Sequence, residues 1–273
     1  MNDSKNIKTF YEVDGIDYSF RRWQKNPVAQ FDYRCTKTAI TKFLGKLHFK
    51  SALEVGCGSG TWTPLLKHHS EKVTAVDISE TMLKQAEQRN NHPDIKFIRA
   101  DIMELQTAEK FDLIFSIRAL EYIENKEQFF EKCFQWLNPG GRIFIITKTK
   151  VSYWYGRTKT RKWLKKMCPF LFNYENRTLK KRTLDNIGHF WQDRLSVKKF
   201  ILLSKKAGIG NLTVIPVIIR PPIFMRGKSE VPLIPPFLEK PILTIFSIVD
   251  IIFSKIPYFT FFAESYLVIG KKQ

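Results

Sequence analysis

Cysteine, long apolar runs and, in one half of the chain, acidic residues are all scarce in this 273-residue sequence. The four cysteines, Cys35, Cys57, Cys133 and Cys168, lie far apart and form no Cys-x-x-Cys pair. That excludes a disulfide framework and a structural zinc, and suits free thiols in a reducing cytosol. No uninterrupted apolar run approaches the roughly 18–20 residues of a membrane-spanning helix. The strongest stretch, 238–254, is broken by Lys240 and Asp250 and followed by Lys255. The first residues, Met1-Asn-Asp-Ser-Lys-Asn-Ile-Lys8, are polar, so no signal peptide is expected and a cytoplasmic location is. Internal repeats and low-complexity linkers are absent as well. Acids are missing mainly from the second half. Residues 1–147 carry 21 Lys+Arg and 19 Asp+Glu, whereas residues 148–273 carry 24 and 7, so nearly all of the net charge of +19 sits there. An ordinary globular domain is expected first, and then a segment built to meet something negative.

Within the first half, short apolar runs alternate with helical patterns. Strands are expected at Ala52–Val55, Val73–Val76, Lys96–Arg99, Phe111–Ser116 and Arg142–Thr147. Helices are expected near 62–69, at 80–90 with Ser79 as N-cap, and at 126–137. Asn138-Pro-Gly-Gly141 reads as a turn. Strands alternating with helices at this spacing imply βαβ units, a parallel sheet and right-handed crossovers. Strands buried on both faces account for the short, nearly continuous apolar runs. Later, Ser196–Ala207 reads as a capped helix ended by Gly208, Leu212–Val217 as an edge strand because of Pro216, and Ser265–Gly270 as a last strand.

Leu53-Glu-Val-Gly-Cys-Gly-Ser-Gly-Thr61 carries the most information. A strand ends in Gly56, Gly58 and Gly60, and the following strand ends in Asp77. A tight glycine turn with a carboxylate at the next strand end is a nucleoside-cofactor site. A dinucleotide fingerprint needs Gly-x-Gly-x-x-Gly. Here the third glycine comes one residue early, and Thr61 holds its place. Glu54, just before the first glycine, is a poor neighbour for a pyrophosphate and a good one for a cationic ligand.

With Glu54-Val-Gly-Cys-Gly-Ser-Gly60, Val76-Asp-Ile-Ser79, Arg99-Ala-Asp101-Ile, Phe111–Ser116 and Leu137–Phe144, the chain resembles the class I S-adenosylmethionine-dependent methyltransferases. The likeness covers roughly residues 50–147, and the elements after 196 loosely. It implies a Rossmann-like, doubly wound α/β fold: a seven-stranded sheet, mostly parallel, with an antiparallel last strand. It implies one domain over 1–273, with insertions 148–195 and 218–262 forming a basic and apolar cap over the strand ends. It also implies roles in binding S-adenosyl-L-methionine. Gly56, Gly58 and Gly60 would let the backbone approach the methionine and ribose. Asp77 would accept the ribose hydroxyls. Ile78 and Met82 would cover the adenine faces, Asp101 and the Ile102 amide would meet its edge, and Ser116 would border the reacting methyl. Glu54 belongs to the same set.

A base is optional for this chemistry, because positioning alone can contribute roughly 7–11 kcal/mol. The candidate catalytic groups are His189, in Asn186-Ile-Gly-His-Phe-Trp-Gln192, and Glu121 and Tyr122, after the fourth strand. Ser116-Ile-Arg-Ala119 stands where the family's Asn-Pro-Pro-Tyr would be, which lowers planar amino nitrogens as acceptors. No His/Asp ligand set for a metal-dependent reaction is visible.

The acceptor is decided by the basic half. Residues 148–182 hold twelve Lys/Arg against one acid, Glu175, with interleaved aromatics. Between Gly156 and Pro169, Thr160, Trp163, Leu164 and Met167 share one helical face and Arg161, Lys162, Lys165 and Lys166 the other. Such a segment reads as a membrane-surface helix. Residues 238–254, with Phe259, Phe261 and Phe262, read as a buried or interfacial element. The expected activity is methyl transfer to a hydroxyl of an amphipathic small molecule (a lipid, quinone or lipid-linked glycan) at an anionic membrane surface. Three other readings stay open: a soluble small-molecule acceptor, RNA, which basic patches with aromatics also bind, and a non-catalytic membrane or RNA adapter.

Overall fold

Seven strands form one sheet in the order β3-β2-β1-β4-β5-β7-β6. The computed structural model describes residues 3–15, 17–150, 193–219, 236–256, 259–260 and 263–273. The strands are β1 (Phe49–Val55), β2 (Ser70–Asp77), β3 (Ile95–Arg99), β4 (Phe111–Ile117), β5 (Leu137–Lys148), β6 (Ile209–Ile219) and β7 (Ala263–Lys272). β1 to β5 run parallel, and β7 runs antiparallel between β5 and β6. This is the expected doubly wound sheet with its antiparallel last strand. Pro216 sits in β6, the edge strand, where its missing N–H breaks no central ladder.

The helices are α1 (Asp3–Asp14), α2 (Tyr18–Trp23), α3 (Pro27–Leu44), α4 (Thr63–His68), α5 (Glu80–Arg89), α6 (Lys126–Trp136), α7 (Val197–Lys206) and α8 (Pro236–Phe253). Their starts follow from local chemistry. The side chains of Asn26, Ser79, Asn125 and Ser196 each accept a backbone N–H in the first turn of α3, α5, α6 and α7.

Alternate residues of each central strand enter opposite cores. Leu113, Phe115 and Ile117 of β4 join Phe144 and Ile146 of β5 on one face, with α3 and α8. Phe111 and Ile114 join Ile143 and Ile145 on the other, with α6 and α7. A strand apolar on both sides can only sit in the middle of such a sandwich.

The chain runs outward from β1 through β2 to β3, then crosses back to β4 on the other side of β1. The crossover loops therefore part above β1, leaving a crevice at the carboxyl ends of the strands. β5 begins earlier than expected. Leu137 already pairs with Phe111, and the Asn138–Gly141 segment lies within the strand as an irregularity between Phe111 and Leu113 of the partner. Of the expected cap, residues 151–192 and 220–235 lie outside the described residues. The described part of the second insertion, α8, packs beside α3 and against β6.

Candidate active site

At the crevice above β1 lies a cavity of about 390 Å³, large enough for a nucleoside cofactor. Its floor is the glycine turn. The amides of Gly56 and Cys57 both donate to the Val76 carbonyl, 2.9 and 3.1 Å, tying the turn to the end of β2. Asp77 receives the Gly58 amide on Oδ2 at 2.8 Å and the Ser79 amide on Oδ1 at 3.0 Å. Both oxygens keep lone pairs that further donors can use. Burial raises the Asp77 pKa, and the amides of Ser79 and Gly58 pull against it.

The three glycines differ in what they permit. All have positive φ. A Cβ at Gly58 would meet nothing within 4 Å, so this residue faces open space in the cavity wall. A Cβ at Gly56 would lie 2.4 Å from that of Ala119, so Gly56 lets the loop after β4 close in. A Cβ at Gly60 would fall 2.3 Å from Asn90 Nδ2 and 2.9 Å from Ala86 Cα. Gly60 therefore serves the packing of the turn on α5 and lies away from the cavity lining.

Ile78, Met82 and Ile102 provide apolar walls, and Asp101 lies among them with Oδ1 on the Met103 amide at 2.9 Å. Those residues stand together, as the sequence pattern anticipates. Glu54 stands behind the turn, 2% exposed, accepting the Thr63 hydroxyl at 2.7 Å. Burial raises its pKa to about 8, with Asp77 adding to the rise against the Thr63 hydrogen bond.

Besides Gly60 and Glu54, two further expected positions lie off the cavity. Ser116 does not border the cavity: it is fully buried and donates to the Val55 carbonyl at 3.1 Å, bracing β4 on β1. Ile117, Arg118 and Ala119 line the wall instead. Glu121 is also directed elsewhere, 2% exposed and accepting the Thr147 hydroxyl at 2.9 Å, while its neighbour Tyr122 does line the cavity. His189 lies outside the described residues.

The sequence reading missed the rim. Ile7 and Tyr11 of α1 and Tyr18 and Trp23 of α2 line the cavity, with α2 beside the end of the glycine turn, where Ser19 Oγ lies 3.1 Å from Thr61 Oγ1 and the Trp23 ring meets that of Trp62. The ring of Tyr11 meets those of Tyr18 and Tyr122 edge-on, with centroids 5.5 and 5.8 Å apart. Glu12, one residue on, fastens this rim to the cofactor side. Its carboxylate accepts the amides of Glu80 and Thr81, both at 2.9 Å, and the hydroxyls of Thr81 and Ser79. Burial works against that charge, but the four hydrogen bonds hold the Glu12 pKa at about 2. Only the aromatic richness of residues 10–23 signals this rim in the sequence.

Arg118 is the other surprise. It adopts φ +65°, is 8% exposed, donates to Ser265 Oγ and stands 3.5 Å from Glu264. Lys148 pairs in register with Ser265 beside it. Burial and the Arg118 charge lower the Lys148 pKa to about 7. The wall after β4 thus carries Arg118 paired with Glu264, whereas the glycine turn is bounded by the Asp77 carboxylate.

Comparison with known proteins agrees with this geometry. Residues 53–145 match the family described as methyltransferase domain. The malonyl-[acyl-carrier protein] O-methyltransferase 2 of Ilyobacter polytropus is 33% identical over 127 residues, covering 45% of this chain and 48% of that protein. The ubiquinone biosynthesis O-methyltransferase of Rickettsia typhi is 26% identical over 165 residues, covering 56% and 65%. The chain thus spans less than two thirds of the length of either relative. Among solved structures, the N-methyltransferase NodS of Bradyrhizobium japonicum with S-adenosyl-L-homocysteine superposes with a TM-score of 0.58 at 16% identity, covering 98% of both chains. A possible histamine N-methyltransferase of Thermotoga maritima gives 0.60 at 16% identity, covering 98% of this chain and 100% of that one. At such identities the superpositions show the fold.

Proposed function

We propose that this chain, whose residues 53–145 belong to the methyltransferase-domain family, transfers a methyl group from S-adenosyl-L-methionine to a hydroxyl of an amphipathic small molecule at a membrane surface. Asp77 carries the donor half of this reading. Its carboxylate is anchored by two amides, and the neighbouring Gly58 keeps the wall free of side chain. That is a seat for a vicinal diol beside a flat apolar slot.

The donor supplies a methyl group already activated on a sulfonium sulfur. The residues of the chain bind, orient and exclude water. Asp77 accepts the ribose hydroxyls, Ile78, Met82 and Ile102 hold the adenine, and Asp101 accepts its amino group. Glu54 places carboxyl character behind the turn, on the side of the cationic end. Tyr11, Tyr18 and Tyr122 add apolar ring surface to the cavity wall, and keeping water out strengthens each polar contact within. The acceptor enters between this aromatic rim and the Arg118 wall. The hydroxyl oxygen would bond to the methyl carbon as the carbon–sulfur bond breaks, S-adenosyl-L-homocysteine would leave as the neutral thioether, and the hydroxyl proton would pass to solvent. Holding the two reactants in line accounts for the bulk of the rate enhancement, so no dedicated base is required.

An oxygen acceptor is supported by two O-methyltransferases among the relatives, of which the ubiquinone-biosynthesis enzyme favours a hydroxyl, and a planar amino nitrogen is disfavoured by the absence of an Asn-Pro-Pro-Tyr segment at Ser116-Ile-Arg-Ala119. An amphipathic one is supported by the basic second half of the chain. The test is transfer of labelled methyl from S-adenosylmethionine to a lipid extract and to a water-soluble metabolite extract of the source cells. Label is expected in the organic-extractable fraction, in an alkali-stable ether. Label confined to RNA or to the soluble fraction contradicts the proposed acceptor.

A further inference from the structure

α8 is folded with its polarity reversed for a helix in water. Its two acids point inward: Glu239 is 2% exposed and Asp250 is 6% exposed, with Asp250 Oδ1 accepting the Ile219 amide at 2.8 Å. Four of its five isoleucines point outward, Ile242 packing against the core. Ile245, Ile248, Ile251 and Ile252 are 50–61% exposed, and Phe237 at the start of the helix is 76% exposed. On a helical wheel these residues share one stripe about 120° wide, opposite Leu243, Phe246 and Asp250. A scattered exposed Ile needs no explanation, but a contiguous stripe does.

The charges that do reach solvent are of one sign. Lys240 stands near the start of the stripe and Lys255 just beyond its end, both exposed and about 20 Å apart along the axis. This arrangement selects among possible covers. A second copy laid antiparallel across the stripe would bring Lys240 of one chain to Lys255 of the other, like charge on like. An anionic lipid surface meets both lysines favourably while the isoleucines enter the acyl boundary. Among the described residues no helix is long and apolar enough to cross a membrane, so α8 would lie in the interface.

We infer that the outward face of α8 is the surface on which this protein docks on an anionic bilayer. The inference deepens the membrane-surface part of the function proposed above; it does not depend on the methyl donor. Position adds to it. β6 is parallel to β5, so the Ile219 amide that Asp250 holds lies at the carboxyl ends of the strands, the end at which the cavity opens. Docking through α8 sets that end of the sheet beside the lipid, where an amphipathic acceptor resides.

Flotation of the full chain with phosphatidylglycerol/phosphatidylcholine vesicles, and with phosphatidylcholine alone, tests this. Each variant's binding of S-adenosylmethionine is measured beside it. The wild type is expected to float with the anionic vesicles at low salt. Changing Ile245, Ile248 and Ile252 together to Gln should lower the partition at least about tenfold. Changing Lys240 and Lys255 together to Gln should lower the partition onto anionic vesicles by about as much, leaving the partition onto phosphatidylcholine alone unchanged. Unchanged donor affinity in these variants establishes that they are folded. Wild-type protein that stays in solution, or a triple Gln variant that floats like the wild type, overturns the inference. So does a wild-type dimer that the triple variant dissociates without any vesicle binding. Vesicle binding that persists in a chain unable to bind the donor would instead count against the methyltransferase reading and leave the docking face standing.

Discussion

Asp77 and Glu54 are carboxylates one strand apart, and their surroundings set them to different tasks. Asp77 lines the cavity and holds two amides of the turn. Its replacement by Ala should weaken S-adenosylmethionine binding at least about tenfold, the worth of a charge-assisted hydrogen bond, as read by calorimetry. Glu54 is enclosed with a single hydroxyl partner, and its pKa of about 8 means that the folded chain retains a proton which the unfolded chain releases above about 4.5. Stability from this group is therefore complete below about pH 4.5 and is lost as pH rises toward 8. Against a Glu54→Gln variant, chemical denaturation should show the wild type losing ground across that window and level above it. A difference that grows in favour of the wild type with rising pH would contradict the assigned burial. The cavity lining was legible in the sequence where it follows from a strand end, at Asp77, Ile78 and Asp101, and in the first turn of the next helix, at Met82. Ser116 was misjudged because β4 runs one residue further than expected, to Ile117, which leaves Ser116 inside the strand with its hydroxyl on the Val55 carbonyl.

At the scale of elements, the glycine turn and the first helix give contrasting predictions. Gly60→Ala forces a methyl into Asn90 and the Ala86 backbone at positive φ, so it should cost about 2–4 kcal/mol of stability and lower the melting temperature clearly. Gly58→Ala meets no atom, so it should cost only about 1–2 kcal/mol of left-handed strain while obstructing the donor seat. The first change should read out mainly in thermal melts and the second mainly in donor affinity.

α1 is held to α5 by the carboxylate of Glu12, whose hydrogen bonds are strongest when it is ionised, and by Gln85, which donates to the Gly15 carbonyl at 2.9 Å. With the Glu12 pKa held at about 2, the stabilisation from its charge is full above about pH 4.5 and is lost as pH falls toward 2. Glu12→Gln should speed hydrogen exchange across residues 7–12 and raise the donor dissociation rate about tenfold, without unfolding the sheet. Unchanged exchange there would mean that Gln85 and the aromatic contacts hold α1. Nothing in a local pattern announces such a latch, because Glu12 and the α5 amides are joined by tertiary structure, 68 and 69 residues apart in sequence.

For the whole molecule, the sheet was legible because its central strands are buried on both faces and write themselves as short apolar runs ended by glycine or acid. The antiparallel β7 and the edge position of β6 followed from the family resemblance and from Pro216. The aromatic rim did not follow, since α1 and α2 are short helices whose place is set by what they cover. The charge asymmetry divides the molecule into a nearly neutral donor half and a strongly basic half, with the outward face of α8 belonging to the latter. The central claim concerns the first half: the cavity above β1 is a seat for S-adenosylmethionine. Titration of the full chain with S-adenosylmethionine in a calorimeter tests it most directly. One site per chain, competed by S-adenosylhomocysteine and weakened by Asp77→Ala, is the result predicted; a folded chain that gives no saturable heat with either compound would contradict it.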